Sequence, residues 1–184
     1  GLEALIRWRH PLLGELSPSA FVPLAEQTEL LSELNAWVID RVIARLARLR
    51  NHCIQLPVSV NVSLHDFARQ GFADTLEDKM LKVRLPNALL GVECLETERL
   101  IESPAAMRGL EMLKLRGFGI SLDDFGTGYS NISYLRRMPL DVIKLDRSLI
   151  SGLASDTASR IIARNIITML KELDYVVLAE GIEC

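Results

Sequence analysis

Six short apolar runs, rich in β-branched residues and bounded by Gly, Pro or charge, recur along this chain with helical patterns between them. They are Gly1–Trp8 (GLEALIRW), Pro57–Ser63 (PVSVNVS), Gly91–Glu96 (GVECLE), Gly119–Phe125 (GISLDDF), Asp141–Asp146 (DVIKLD) and Val176–Gly181 (VVLAEG). Their length and composition predict buried strands. Leu34, Val38, Val42, Leu46 and Leu49 share one face of a helix. Met107, Leu110, Leu113 and Leu115 mark a second helix, ended by Gly117, and Ile162, Ile166, Met169, Leu170 and Leu173 mark a third. Strands alternating with helices, with no obvious reversal, predict a parallel α/β sheet, either a barrel or an open doubly wound sheet. At 184 residues the chain is shorter than the roughly 250 of a complete (β/α)8 barrel. It therefore reads as one domain, an open sheet or a barrel lacking strands at its ends.

Apolar residues make up 49% of the chain, enough to bury a core, which argues against disorder and coiled coil. The formal charge of −3 disfavours a surface built for DNA or RNA duplexes, though it leaves room for a local phosphate site. Cys53, Cys94 and Cys184 are too few, and odd in number, for a disulfide framework or a zinc ribbon, so a reducing compartment is expected. No apolar run approaches the roughly 20 residues of a membrane span. The start at Gly1, directly into an apolar segment, suggests a cut inside a larger protein.

Acids inside apolar strands are costly unless they are paired or bound to metal. Here Glu3 lies in the first run, Glu93 in the third, Asp123 and Asp124 in the fourth and Glu180 in the sixth. The second run carries Asn61, a neutral oxygen ligand, and the fifth carries Lys144 and then Asp146. The C-terminal strand ends of a parallel α/β fold share one face, and that face holds the active site. One acid at a strand end is usually a helix N-cap; six coincident polar strand ends predict convergence. Carboxylates with one amide, and no nearby His or Cys, describe a hard-cation site that selects Mg²⁺, Mn²⁺ or Ca²⁺. Adjacent Asp123 and Asp124 could serve two metals, as two-metal phosphoryl chemistry requires. His10, His52 and His65 lack ligand spacing, and Arg41, Arg45, Arg48 and Arg50 read as the solvated face of a helix. The glycines of Gly126-Thr127-Gly128 fit neither the dinucleotide fingerprint nor a P-loop, and read as a flexible loop after a metal-binding strand.

Glu3-Ala4-Leu5 followed by Ile6-Arg7-Trp8 resembles the signature of the EAL-domain cyclic di-GMP phosphodiesterases. Asn61-Val62-Ser63, Glu93 to Glu96, Asp123-Asp124-Phe125-Gly126-Thr127-Gly128, Ile143-Lys144-Leu145-Asp146 and Ala179-Glu180-Gly181-Ile182-Glu183 follow in that family's order. The resemblance covers the whole chain. It implies a TIM-like (β/α) barrel, with about six of its eight strands in this chain, that hydrolyses cyclic di-GMP to linear pGpG with Mg²⁺ or Mn²⁺. By motif position it places one metal on Glu3, Asn61, Glu93 and Asp123 and a second on Asp123, Asp124 and Glu180. Lys144 would orient the attacking water or help deprotonate it; the residue types leave both roles open. Arg7 would contact a substrate phosphate, Leu5 would line the substrate site, and Asp146 would meet a guanine or support the site. Glu96 and Glu183 would anchor the loop 126–131 and back the ligands.

Three departures from the family pattern stand out. The strand that precedes the EAL strand is absent, the closing helix, strand and Gln are absent after Cys184, and Leu95 replaces the usual Thr before the second Glu. The resemblance further implies a homodimer, with the helix after Asp146 as a candidate contact. It implies an upstream sensor or GGDEF-type domain, and a cytoplasmic place or a tether to the inner membrane through parts outside this chain. The rival readings are a catalytically weak or inactive receptor for cyclic di-GMP, and a dimerisation or partner-docking module.

Overall fold

The computed structural model describes residues 1–28, 30–95, 97–127, 132–153 and 156–182. Six parallel strands form its main sheet: β1 (Leu2–Ala4), β4 (Val58–Asn61), β5 (Leu90–Leu95), β6 (Gly119–Phe125), β7 (Val142–Leu145) and β8 (Val176–Ala179), adjacent in that order. The sheet is curled like part of a TIM-like barrel, with helices packed on it. Each predicted run therefore contains a strand, but the first is shorter than expected. Its strand ends at Ala4, and Trp8–His10 (β2) pairs antiparallel with Gly14–Leu16 (β3) in a separate hairpin. The apolar pattern of GLEALIRW conceals this break. The turn signals lie just beyond it, in Pro11 and in Gly14, which sits at φ +75°, where a Cβ would be strained.

The helices are α1 (Pro18–Glu26), α2 (Leu30–Asn51), α3 (Leu64–Ala68), α4 (Phe72–Lys82), α5 (Glu98–Glu102), α6 (Pro104–Leu115), α7 (Arg147–Ile150) and α8 (Thr157–Glu172). The three periodic helices expected from the sequence are α2, α6 and α8. The shorter ones owe their starts to local chemistry: Ser63, Thr97 and Asp146 each accept a backbone N–H at the N-cap of α3, α5 and α7. Arg50 departs from the solvated-face reading of its helix. Its Nη1 donates to the carbonyls of Val83 (2.7 Å) and Arg84 (3.0 Å), stapling the end of α2 to the end of α4.

Strand alternation sorts the side chains between the two faces of the sheet. Val58, Val60, Leu90, Val92, Cys94, Ile120, Leu122, Ile143 and Leu145 are buried in one core with Ile43 and Leu46 of α2, Met80 of α4, Leu110 of α6 and Leu170 of α8. Ser59, Asn61, Gly91, Glu93, Ser121, Asp123 and Lys144 alternate with them on the opposite face. Packing on the helical side is tight at Gly109 of α6, where a Cβ would stand 1.9 Å from the Phe67 carbonyl oxygen of α3.

Candidate metal centre at the strand ends

The polar row runs across the sheet from Glu3 of β1 to Glu180, the residue that follows β8. Asn61 is level with Glu93, whereas Glu3 is level with Ser59, Asp123 with Leu95, and Lys144 with Leu178. The row thus climbs two residues at several steps, which is the stagger a sheet needs in order to curl into a barrel. Curling brings its members together. Carboxylate oxygens of Glu3, Glu93 and Asp123 lie within 4.8 Å of one another, and so do those of Asp123, Asp124 and Glu180. The two triads share Asp123, as expected for a two-metal site.

Consecutive residues of a regular strand point to opposite faces, so Asp123 and Asp124 could not both belong to the cluster if β6 were regular. The β6–β7 register shifts between Leu122 and Phe125, and Asp124 adopts a left-handed conformation with φ +55°. Asp tolerates that region better than most residues. The bulge turns Asp124 toward its neighbour, and the Asp124 N–H donates to Asp123 Oδ1 at 3.0 Å. The Asp-Asp pair in the sequence was the visible trace of this irregularity.

Lys144 occupies the middle of the cluster. Its Nζ lies 2.7 Å from Glu180 Oε1, 2.9 Å from Glu93 Oε2, 3.1 Å from Glu3 Oε2 and 3.2 Å from Asp123 Oδ2. Burial opposes its charge, but hydrogen bonds to Glu180 and Glu93 and the charges of Glu93 and Asp123 outweigh it and hold the ammonium well above the ordinary lysine pKa. Burial pushes the Glu93 carboxyl up despite Lys144. Asp124 is likewise raised, first by burial and then by the charges of Asp123, Asp146 and Glu180. Lys144 is thus shared by four carboxylates, with Asp124 as a fifth beside Asp123. Asn61 donates Nδ2 to Glu3 Oε1 at 2.9 Å, joining the same network. The donor set consists of oxygens alone, in two groupings that could each hold a hard divalent cation.

The remaining expected residues lie elsewhere. Asp146 stands at the edge as the N-cap of α7, and hydrogen bonds from the Ser148 side chain and then from the Ser148 N–H lower its pKa. Arg7 is exposed, donates to the neighbouring Ile6 carbonyl at 2.8 Å, and lines an apolar groove of about 790 Å³ with Trp8, Phe21, Leu24 and Trp37. Leu5 lines an adjoining groove beside Trp37 and Val38. Neither makes a polar contact with the cluster among the described residues. Glu96, Glu183 and most of the loop 126–131 lie outside the described residues. A further junction, Asn35 with Ser63 and Asp66, escaped the sequence reading; it has no motif, and only its Ser-x-x-Asp spacing at a helix start could have signalled it.

The family model for the EAL domain matches residues 1–184. A cyclic di-GMP phosphodiesterase of Pseudomonas aeruginosa is 41% identical over 100% of this chain and 31% of its own length. The bifunctional diguanylate cyclase/cyclic di-GMP phosphodiesterase MucR of the same organism is 36% identical over 100% of the chain and 27% of its own. The chain therefore spans about a third or less of the length of these curated relatives. Among solved structures, the MucR phosphodiesterase in complex with c-di-GMP superposes with a TM-score of 0.90 at 36% identity, covering 100% of this chain and 75% of that one. The EAL enzyme Bd1971, bound to cAMP and cyclic di-GMP, also gives 0.90, at 31% identity, over 99% of this chain and 50% of its own.

Proposed function

The chain belongs to the EAL-domain family, and on that premise we propose that it hydrolyses one phosphodiester bond of cyclic di-GMP, releasing linear pGpG, with Mg²⁺ or Mn²⁺ at its strand-end cluster. The observation that carries this reading is the pair of carboxylate triads sharing Asp123 around Lys144. Glu3, Asn61, Glu93 and Asp123 would hold one cation, and Asp123, Asp124 and Glu180 the other. Bound there, two divalent cations supply Lewis-acid charge and lower the pKa of a coordinated water. The protein's own share is positional. The staggered strand ends set the donor oxygens at fixed separations, and the bulge at Asp124 lets neighbouring residues serve both positions. Lys144, whose Nζ stands among these donor oxygens, is suited to meet the attacking water and the phosphoryl oxygens. Lys144 is assigned to orienting the attacking water or to helping deprotonate it.

Arg7 and Leu5, on the loop that follows β1, are assigned to a substrate phosphate and to a wall of the substrate site, and Asp146 to a guanine or to support of Asp124. Glu96 and Glu183 are assigned to backing the loop and the ligands. A receptor that binds without cleaving would be marked by a lost ligand, and all six ligand positions here carry an oxygen donor. We further assign this chain to a homodimeric, multidomain protein with a sensor or GGDEF-type partner domain, acting on a cytoplasmic nucleotide. MucR is named for two activities, diguanylate cyclase and cyclic di-GMP phosphodiesterase, and this chain spans 27% of its length. Among the described residues no helix is long and apolar enough to cross a membrane.

The test is incubation of the purified protein with cyclic di-GMP and Mg²⁺ or Mn²⁺, followed by chromatography. Appearance of pGpG, abolished by a chelator and restored by added metal, is expected. Tight binding of cyclic di-GMP with no product in either metal would replace the enzyme reading with the receptor one.

A further inference from the structure

Asp66, on α3, is the one carboxylate among the described residues that is fully buried away from the strand-end cluster, with 1% of its surface exposed. A buried carboxylate persists only with polar partners. Ser63 Oγ donates to Asp66 Oδ2 at 2.7 Å, and Asn35 Nδ2, from α2, donates to the same oxygen at 2.6 Å. Arg69 Nη2 stands 4.0 Å from Oδ1. In return, the Asp66 backbone N–H donates to Ser63 Oγ at 3.3 Å, so the two residues close a reciprocal cap at the start of α3. Ser63 is the corner where the chain leaves β4. Asn61 is the last residue of that strand, and Val62 N–H still donates to the Glu93 carbonyl at 3.0 Å before the chain turns.

An apolar pair in place of this junction would hold two helices together about as well, because buried polar groups contribute little net stability compared with hydrophobic residues of similar volume. What the polar junction adds is direction. Two donors from separate elements converge on one oxygen and hold the corner two residues beyond Asn61. We propose that Asp66 is a positioning residue for Asn61: through Ser63 it ties the end of β4 to α2 and holds the Asn61 amide in register with Glu3 and Glu93. This inference rests on the reading of Asn61 as a metal ligand.

The experiment is a double-mutant cycle read by calorimetric titration of the purified protein with Mn²⁺ alone, without nucleotide. Asp66→Ala is expected to weaken Mn²⁺ binding about tenfold, the lower end of the loss seen when groups supporting a ligand are removed. Asp66→Asn, which keeps an acceptor oxygen for both donors, is expected to restore most of it. In an Asn61→Ala background, Asp66→Ala is expected to cause no further loss, because its effect travels through the missing amide. An equal loss in both backgrounds would mark a general structural effect and overturn the proposal, as would unchanged affinity in Asp66→Ala. Should Asp66→Ala not fold, Asn35→Ala, at a half-buried position on α2, carries the same cycle. Absence of Mn²⁺ uptake by the unsubstituted protein would overturn the metal-site reading itself, before any substitution is compared.

Discussion

Lys144 and Asp124 carry the strain of the site in different ways. Lys144 pairs with four carboxylates at once, so replacing it with Met leaves like charges facing one another in a largely buried place. Removing one partner of a buried pair costs about 3–5 kcal/mol. We expect Lys144→Met to melt well below the parent in a chelator and to recover much of the difference in millimolar Mn²⁺, because a ligand that binds only the folded state stabilises it. Equal melting shifts with and without metal would contradict this account. At Asp124, Asn keeps the tolerance for a positive φ but removes the charge. Asp124→Asn is expected to keep the parent's melting temperature in a chelator and to bind one Mn²⁺ fewer, counted by calorimetry. The raised Glu93 and Asp124 pKa values set a pH dependence with a definite sign. A cation must displace their protons, so Mn²⁺ affinity should rise, with protons released, as pH climbs from the ordinary carboxylate range toward neutrality. Affinity that is flat over that interval would show that both groups are already ionised at its lower end.

Among the elements, α3 and α6 approach closely, and Gly109 is the reason they can. A Cβ there would overlap the Phe67 carbonyl, which is backbone and cannot swing aside. Gly109→Ala is expected to lose about 1–3 kcal/mol of stability by overpacking, read as a lower urea midpoint with an unchanged slope. α3 also begins at the Ser63 corner beyond Asn61, so the same substitution tests whether strain in the helical layer reaches the strand ends. The hairpin β2–β3 stands outside the main sheet. It is held by its own ladder and by Trp8, whose ring meets Phe21 of α1 edge-on with centroids 5.5 Å apart.

The sheet as a whole has two edges, β1 and β8, and apolar side chains lie exposed along both: Leu2 on one, Val176 and Leu178 on the other. An open edge offers unpaired backbone groups to any other strand. A polypeptide of these 184 residues alone is therefore expected to self-associate, and Val176→Lys with Leu178→Lys to reduce it, as measured by sedimentation velocity. A monomer at all concentrations before substitution would show that these edges are protected within the chain.

Much of the architecture and of the site's chemistry was legible in the residues alone. Strand–helix alternation is a local pattern, and a Glu or Asp inside an apolar run is conspicuous because burying it needs a reason. Glu3, Asn61, Glu93, Asp123, Asp124, Lys144 and Glu180 could therefore be named, along with their oxygen-only chemistry and the face they share. Their geometry could not. Which carboxylates form a triad depends on the two-residue stagger between neighbouring strands, a relation between segments far apart in sequence. That Asp124 faces the same way as Asp123 depends on a bulge against β7, and the fourfold pairing of Lys144 on the curl of the whole sheet. The break after Ala4 was hidden because an apolar run reads alike whether it stays in the sheet or leaves it for a hairpin. The Asn35–Asp66 contact joins residues 31 apart on different helices, and no periodicity links them. Residue type declares the cost of burial locally, whereas the partners that offset it are chosen by strand register and helix packing, which exist only once the chain has folded.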